Sequence, residues 1–398
     1  MNVKHVVGAA MGTGTRSAVA VKSQIVDYSR RKATGVSLRD LFLYSLKFDP
    51  AQRIRNAQFL HNELPIRLAQ RCVELGKLPY GLPEKRGIVD VRDMFDRSFT
   101  KLTALPKPQT LADDDHFVDV LTSILNDHSE VVASMALGVL EVRREFSNDP
   151  QINEHMNYYL NRFFMARIGL RFLIEHHIQS KNNAPGFSGI LQSECNPTLV
   201  AQDAADDAQH LCTQLYGVSP EINIMGNMTE SFTYVPSHIH YILSELLKNS
   251  LRATCTFHGV NGPLPPVEVV IARGRYDVTI KISDRGGGIP FHKVEQIWSY
   301  CLTSDTPTAD STLPKFKTTS EDVIQGQRAS LSGYGCGLPL ARLYAQYFGG
   351  GVDLKSLEGW GTDGFVHLNR LGTNCENLPV GVLSSAAERD SSFSGSVP

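Results

Sequence analysis

One predicted helix carries the side chains that are best suited to bind phosphates and a metal ion. Residues 237–254 read S-H-I-H-Y-I-L-S-E-L-L-K-N-S-L-R-A-T, with apolar residues at helical spacing, so we predict one buried face and Ser237 as N-cap. Glu245, Asn249 and Arg252 share a second face of this helix. A carboxylate and an amide oxygen there suit a hydrated Mg²⁺ ion beside nucleotide phosphates. The same pattern occurs on the solvent-exposed face of an ordinary surface helix, so a metal and phosphate site is indicated only if other motifs support it.

A second candidate lies at the end of a predicted strand, in K-I-S-D-R-G-G-G-I-P, which contains Asp284. A carboxylate at this point can accept a hydrogen bond from the exocyclic amino group of adenine. Gly286 and Gly288 would let the backbone approach the ring, because they have no Cβ. An ordinary Asp-Gly turn has the same local pattern, so this motif alone does not establish an adenine site.

A third candidate is a glycine-rich loop that leads into an amphipathic helix. It consists of six residues: Gly333, Tyr334, Gly335, Cys336, Gly337 and Leu338. Backbone N–H groups at such a loop and at the following helix start form an anion site, which we expect to hold phosphates. The preceding residues 303–332 are polar and rich in Thr, Ser, Pro and Lys. This composition is typical of a mobile lid over a nucleotide, and equally of a flexible insertion that has no function.

The three motifs require an α/β domain in the second half of the chain. Two pairs of segments show the alternation of β-hairpins, 267–272 with 278–283 and 350–357 with 365–368, and a further strand is predicted at 221–225. Strands with helices packed on one side predict an α+β sandwich over residues 195–372. The Ser-rich end of the chain predicts a disordered tail over 373–398.

The first half of the chain is predicted to be helical. Apolar periodicity indicates helices at 50–75 with an interruption at Pro65, at 89–105, at 114–144 and at 151–179. An antiparallel helix bundle over residues 35–183 would bury all their apolar faces, and 181–195 reads as a linker to the next domain.

Three side chains in this predicted bundle could hold a small carboxylate. Arg167 and Arg171 lie one turn apart in R-I-G-L-R, and His128 falls on the predicted helix 114–144. Two guanidinium groups and an imidazole suit a carboxylate ligand. Structural ion pairs or a solvated helix face are the alternative.

Composition excludes several classes of protein. The 398 residues are 42% hydrophobic and 20% charged, which is ordinary for a globular chain, and the net charge of −2 gives no reason to expect nucleic acid or an anionic membrane as partner. The seven cysteines include no C-x-x-C pair and suggest reduced thiols, and no apolar run is long enough to span a bilayer.

The N-terminal residues have a different composition. Residues 1–26 contain no acidic side chain, and basic, small and hydroxyl residues dominate. We predict a mitochondrial transit peptide over residues 1–34, with a short disordered tail as the alternative.

In their order along the chain, the three motifs and the polar segment resemble the ATP-binding fold shared by bacterial histidine kinases, Hsp90-type chaperones and type II topoisomerases. Several blocks look like those of the mitochondrial 2-oxo-acid dehydrogenase kinases: E-L-L-K-N-S-L-R-A-T, I-S-D-R-G-G-G-I-P, G-Y-G-C-G-L-P-L-A-R-L-Y-A-Q-Y-F-G-G, L-E-G-W-G-T-D, F-L-H-N-E-L-P-I-R-L-A and R-I-G-L-R. The resemblance covers residues 37–380. It implies an antiparallel helix bundle followed by a GHKL (Bergerat-type) α/β sandwich, that is, an α plus α+β fold.

The resemblance also implies a function and roles for the motif residues. The chain would be a protein serine kinase of the mitochondrial matrix, and it accordingly has no H-R-D or D-F-G motif of ordinary kinases. Glu245 would be the general base, Asn249 would bind Mg²⁺ and Asp284 would bind the adenine of ATP. The remaining ATP-binding residues would be Arg252, Gly286, Gly288, Thr303 and Ser304 at the edge of the lid, and residues 333–338.

Partners and regulation follow from the same resemblance. The substrate would be the E1α subunit of a 2-oxo-acid dehydrogenase, which phosphorylation switches off. Docking on the E2 lipoyl domain and a homodimer are typical of the family, but the C-terminal Asp-Trp pair used for the dimer is absent here. His128, Arg167 and Arg171 become candidates for a regulatory oxo-acid pocket.

Two members of the family compete for this chain. Tyr241, one turn before Glu245, resembles the branched-chain kinase, and Leu125 stands before N-D-H where pyruvate dehydrogenase kinases have an arginine. The segments W-S-Y-C-L-T-S-D-T-P-T and N-L-P-V resemble pyruvate dehydrogenase kinase, which we favour. Two readings from other classes stay open: a histidine kinase that phosphorylates itself on His128, and a protein that binds ATP without transferring phosphate.

Overall fold

The computed structural model describes residues 20–45, 49–146, 149–181, 184–226, 231–301 and 335–379. The helices are α1 (residues 20–29), α2 (Leu38–Ser45), α3 (Pro50–Leu75), α4 (Arg86–Ala104), α5 (Leu111–Asp127), α6 (Val131–Glu145), α7 (Pro150–Gln179), α8 (Pro197–Tyr216), α9 (Pro236–His258), α10 (Phe291–Val294) and α11 (Gly337–Tyr347). The strands are β1 (Phe187–Ser188), β2 (Leu191–Cys195), β3 (Ile222–Met225), β4 (Phe232–Tyr234), β5 (Val267–Arg273), β6 (Asp277–Ser283), β7 (Gly351–Leu357) and β8 (Gly361–Asn369).

The chain divides into two compact units. The first consists of Met1–Thr34, Pro50–Val142 and Pro379–Pro398, and the second of Gly35–Asp49 and Arg143–Leu378. The long helix α7 therefore belongs to the same unit as the strands. The domain bounds 35–183 and 195–372 stay a prediction from the sequence.

The first unit is helical. Helices α3 and α4 pack together, and buried Arg53 on α3 forms an ion pair of 2.5 Å with buried Asp114 on α5. The predicted interruption at Pro65 is wrong, because α3 runs through this residue.

The predicted single helix over residues 114–144 is also wrong, because it is two helices, α5 and α6. His128 ends α5, and its Nε2 lies 2.9 Å from Ser98 Oγ while its ring stacks on Phe95 at 4.6 Å. A side chain held by two residues of α4 fixes the turn between the helices. The periodicity of the sequence does not reveal this tertiary contact.

The second unit is built on a five-stranded sheet with the order β3-β5-β6-β8-β7. Strands β3 and β5 are parallel and the other neighbours are antiparallel. Alternate residues of β6 are buried, as expected for a sheet with one face covered. Helix α9 packs against α8 and α11 and contacts β6, so it lies on the covered face. The predicted fold class, a helical region followed by an α/β sandwich, is confirmed.

Two segments have more structure than their composition suggests. The predicted linker 181–195 contains β1 and β2, which form a small sheet with β4. In the predicted tail, residues 373–378 are part of the second unit. Glu376 is buried there, accepts a hydrogen bond from the Tyr347 hydroxyl and binds the backbone N–H of Val36 through Oε1 at 3.1 Å. A search of the described residues finds no helix with the length and apolar character of a membrane span.

Candidate nucleotide and catalytic site

Helix α9 positions the candidate base. Its first residue is Pro236, a residue type favoured at the first helical position because its fixed φ suits a helix and it needs no N–H partner there. The N-cap is consequently Val235, without a side-chain cap, and the prediction of Ser237 as N-cap is wrong. Ile239 and Ile242 are buried, so the apolar face packs inward as predicted.

Glu245 is a buried carboxylate with one charged neighbour on its own helix. Only 3% of its surface is exposed, and its Oε1 lies 2.5 Å from Lys248 Nζ. Burial raises the pKa of Glu245 above the ordinary value, while the Lys248 ammonium acts in the opposite direction. A carboxylate with a raised pKa is a stronger base, as proton abstraction from a serine hydroxyl requires.

The start of α11 lies directly against this carboxylate. A Cβ placed on Gly337 would overlap with Glu245 Oε2 and lie 2.8 Å from its Cδ. Any larger residue here would force the Glu245 carboxylate or the start of α11 to move. The contact brings two of the three sequence motifs into one site.

The other residues on the predicted polar face of α9 are less enclosed. Asn249 and Arg252 are exposed on α9, in the turns after Glu245. Tyr241, one turn before Glu245, is buried, and its ring lies 4.8 Å from that of Tyr344 on α11. The predicted face thus changes from buried to solvent-facing along the helix, with Glu245 at the transition.

Asp284 follows β6 and is held by three donors. Its Oδ1 accepts hydrogen bonds from the backbone N–H groups of Gly286 at 2.9 Å and Thr362 at 3.2 Å, and the Ser250 hydroxyl of α9 also donates to the carboxylate. Burial nevertheless raises the pKa of Asp284. These bonds fix the orientation of the carboxylate, which is a requirement for selective binding of one base edge.

Two glycines after Asp284 permit close packing. A Cβ on Gly286 would lie 2.5 Å from the Cβ of Ala253 on α9, and a Cβ on Gly288 would overlap with the carbonyl of Leu357. Gly288 also has a φ of 68°, in the left-handed region that favours glycine. The three-glycine turn therefore joins α9, the β6 end and the β7–β8 hairpin.

The glycine-rich loop enters α11 without a side-chain cap. Cys336 is the N-cap and forms no side-chain cap bond, so the amides of Gly337 and Leu338 point along the start of the helix as an anion site requires. Gly335 has a φ of 69°. The predicted site residues Thr303, Ser304, Gly333 and Tyr334 lie outside the described residues.

The residues of the predicted oxo-acid pocket fall into different units. His128 is part of the first unit, and Arg167 and Arg171 are part of the second. Burial, followed by the neighbouring Arg171, lowers the pKa of Arg167 to about 10. Arg171 Nη2 binds Glu175 Oε1 at 2.5 Å. The two arginines are thus close to each other, as their spacing predicts.

Three site residues were not predicted from the sequence. Lys248 contacts the Glu245 carboxylate, and Ser250 and Thr362 contact Asp284. All three residues belong to sequence motifs in which other residues had been selected as site candidates. The spacing of Glu245 and Lys248, three residues on a helix, was a usable signal. The contact of Thr362 with Asp284 depends on strand register, which the sequence alone does not fix.

The Glu245–Lys248 pair makes the pH dependence of activity testable. A base must be ionised, so activity is present above the raised pKa of Glu245 and is lost as the pH falls through it. Lys248→Met removes the cation that lowers this pKa, so we expect the acidic limb of a kcat/KM profile to move to higher pH. An unchanged limb, or one that moves to lower pH, would contradict Glu245 as the titrating base.

Two family models match the two halves of the chain. A family model described as mitochondrial branched-chain alpha-ketoacid dehydrogenase kinase matches residues 35–196, and one described as histidine kinase-, DNA gyrase B- and HSP90-like ATPase matches residues 234–371. The second match contains Glu245, Asp284 and Gly337.

Curated relatives cover almost the whole chain. A mitochondrial pyruvate dehydrogenase (acetyl-transferring) kinase of Arabidopsis thaliana is 40% identical over 87% of this chain and 93% of the relative. The mitochondrial pyruvate dehydrogenase (acetyl-transferring) kinase isozyme 4 of Homo sapiens is 36% identical over 90% of this chain and 87% of the relative. The corresponding kinase of Schizosaccharomyces pombe is 32% identical over 87% of this chain and 95% of the relative. Their names confirm the predicted mitochondrial location. The chain belongs to the family of mitochondrial 2-oxo-acid dehydrogenase kinases, which are protein kinases with a GHKL-type ATP-binding domain.

Proposed function

We propose that this chain transfers the γ-phosphoryl group of ATP to a serine of the E1α subunit of pyruvate dehydrogenase and thereby inactivates that enzyme. The observation that carries the proposal is the contact between the buried Glu245 carboxylate and Gly337 at the uncapped start of α11. In this proposal, Glu245 is the base and the start of α11 beside it is the anion site. The relatives described above, which are named pyruvate dehydrogenase kinases, support the choice of substrate.

The described residues fit ATP at both ends of the nucleotide. Asp284 offers an oriented carboxylate to the adenine amino group, and the amides of Gly337 and Leu338 offer donors to the phosphates. Asn249, exposed one turn after Glu245, would hold a Mg²⁺ ion that neutralises charge on the phosphates. Arg252 on the same helix adds a positive charge to this end of the site.

Glu245 supplies the proton chemistry in this proposal. Its carboxylate accepts the proton of the serine hydroxyl as the oxygen attacks the γ-phosphorus. Lys248 positions this carboxylate and favours its ionised form. Most of the rate arises from positioning and charge neutralisation, as in other phosphoryl transfers.

The structure also bears on the histidine-kinase alternative. A phospho-acceptor histidine must present a ring nitrogen to ATP. His128 is buried, stacked on Phe95 and bonded through Nε2 to Ser98, an arrangement that suits a structural residue.

The branched-chain dehydrogenase is the second candidate substrate. Tyr241 before the base favours it, as does the description of the family model that matches the helical region. Incubation of the protein with Mg-ATP and each E1 component separately tests both, with phosphoserine located by mass spectrometry and Glu245→Gln as the control. Phosphoserine on pyruvate dehydrogenase E1α is the expected result. Phosphorylation of the branched-chain E1α alone would favour the second candidate, and phosphate on neither would contradict the kinase proposal.

We also propose that Arg167 and Arg171 bind the carboxylate of an inhibitory 2-oxo acid. Because Arg167 is buried beside a second arginine, an anion would relieve its repulsion from Arg171. Arg167→Ala is expected to raise the pyruvate concentration for half inhibition about tenfold or more, since a charged hydrogen bond is lost. Unchanged inhibition by pyruvate and by a branched-chain oxo acid would contradict this assignment.

Docking on the E2 lipoyl domain and formation of a homodimer are further proposals from family membership. Sedimentation of the full chain, alone and with an E2 lipoyl domain, tests both. A monomer that does not bind the domain would contradict them and would agree with the missing Asp-Trp pair.

A further inference from the structure

Two cysteine side chains lie close together at the start of α11. Cys301 Sγ and Cys336 Sγ are 3.9 Å apart, and the two residues are 7% and 1% exposed. The backbone N–H of Cys301 donates to the carbonyl of Gly335 at 3.0 Å, so main-chain bonding holds the two thiols in this position.

A buried arginine interacts electrostatically with the two thiols. Arg143 is 3% exposed, and among the described residues none of its three guanidinium nitrogens has a hydrogen-bond partner. Its charge interacts with both Cys301 and Cys336. A buried cation is stabilised by a nearby anion, and a thiolate is the anion that these neighbours can provide.

The two thiols are not equivalent. The pKa of Cys301 is lowered, first by the hydrogen bond from the Cys336 thiol and then, against the effect of burial, by Arg143. Its role as hydrogen-bond donor and its burial raise the pKa of Cys336. Cys301 is therefore the nucleophile of the pair and Cys336 its partner.

A second pair of cysteines shows that proximity alone does not give this arrangement. Cys212 on α8 and Cys255 on α9 have their Sγ atoms 3.7 Å apart, and both are buried. Burial raises the pKa of Cys255 to about 12. This pair serves as an internal control, because its two sulfur atoms are about as close to each other but their environment is less favourable for a thiolate.

We propose that Cys301 and Cys336 form a modification site for peroxides, which convert the two thiols into a disulfide at the start of the nucleotide-binding helix. The Cys301 thiolate attacks one oxygen of hydrogen peroxide, the O–O bond breaks and hydroxide leaves. The resulting sulfenic acid is attacked by the Cys336 sulfur, the S–O bond breaks and the S–S bond forms. Two thiols and one peroxide give one disulfide and two water molecules, and a thiol reductant reverses the change.

We expect disulfide formation to pull on the start of α11. The S–S distance falls from 3.9 Å to about 2.05 Å. Tyr300, next to Cys301, is fully buried, and its hydroxyl binds Asn161 on α7 at 2.8 Å, so this side resists movement. Cys336 therefore moves and carries with it Gly337, which touches Glu245. We expect oxidation to lower phosphoryl transfer, an effect that rests on the proposed kinase function.

The chemical test does not depend on kinase activity. The full chain is treated with hydrogen peroxide, its remaining thiols are alkylated, and the disulfides are mapped by mass spectrometry without reduction. The 301–336 disulfide is expected in the wild type and in Cys212→Ser, and is expected to be absent in Cys301→Ser. Arg143→Gln is expected to slow its formation severalfold, because the cation that favours the Cys301 thiolate is lost. Oxidation of 212–255 in preference to 301–336, or an equal rate in Arg143→Gln, would overturn the proposal.

Kinase activity then tests the consequence. Peroxide is expected to lower E1α phosphorylation by the wild type, dithiothreitol to restore it, and Cys301→Ser to keep its activity in peroxide. A mapped 301–336 disulfide with full activity would overturn the inhibitory effect. A mapped disulfide in a chain that never phosphorylates E1α would instead contradict the proposed function and leave the modification site supported.

Discussion

Replacing Glu245 with Gln is expected to lower the rate of E1α phosphorylation by about 10²–10⁴-fold, the usual contribution of a positioned general base. Gln has nearly the same shape as Glu, so the contact with Gly337 remains, but the amide cannot accept the serine proton at neutral pH. ATP binding should be retained, because Asp284 and the amides of α11 are unchanged. Single-turnover phosphorylation and nucleotide titration measure the two effects separately.

A matched control for this substitution is Glu268→Gln. Glu268 is exposed on β5, and its replacement is expected to leave both the rate and ATP binding unchanged. If Glu245→Gln phosphorylated E1α at the wild-type rate, Glu245 would not be the base. If it lost ATP binding together with the rate, the carboxylate would instead have a role in binding or folding.

Replacing Gly337 with Ala is expected to lower kcat/KM for ATP about 10²-fold, the order of loss caused by a misplacement of about 1 Å at a reacting group. The added Cβ would overlap with Glu245 Oε2, so either the carboxylate or the start of α11 must move. Both the base and the phosphate site are affected by that movement. Steady-state kinetics with varied ATP, and the melting temperature of the variant, measure the result.

Gly351→Ala is the matched control for this prediction. Gly351 starts β7, and a Cβ added to it would have no neighbouring atom within 4 Å. Both glycines have ordinary negative φ angles, so the two variants differ in the space around the new methyl group. A similar loss of activity in both variants, or none in Gly337→Ala, would disprove the steric account.

The sequence was sufficient to predict the elements around the motifs. The periodicity of residues 237–254 predicted the inward face of α9, and alternating residues predicted β5, β6 and β7 with bounds close to those observed. These patterns are local, because a helix or a half-covered sheet imposes its period on neighbouring residues. The order of the motifs then indicated the family.

Features that depend on contacts between distant residues could not be predicted in this way. The end of α5 depends on His128 binding to α4, and the path of α3 through Pro65 depends on packing that outweighs a local preference. The contact between Glu245 and Gly337 joins two segments that are far apart in sequence. Arg143 belongs to no recognised sequence motif, and its interaction with two thiols is apparent only from the structure.

The position of β8 has a consequence for the biogenesis of the protein. Although β8 follows β7 in the sequence, it lies inside the sheet between β6 and β7, and its Thr362 provides an amide that holds Asp284. A chain whose residues Gly361–Asn369 have not yet emerged from a ribosome or a membrane translocase therefore cannot complete its sheet or the hydrogen bond between Thr362 and Asp284. Asp284 thus lacks one of its three hydrogen-bond donors until β8 has joined the sheet, so the structure around this carboxylate cannot form strand by strand as the chain emerges.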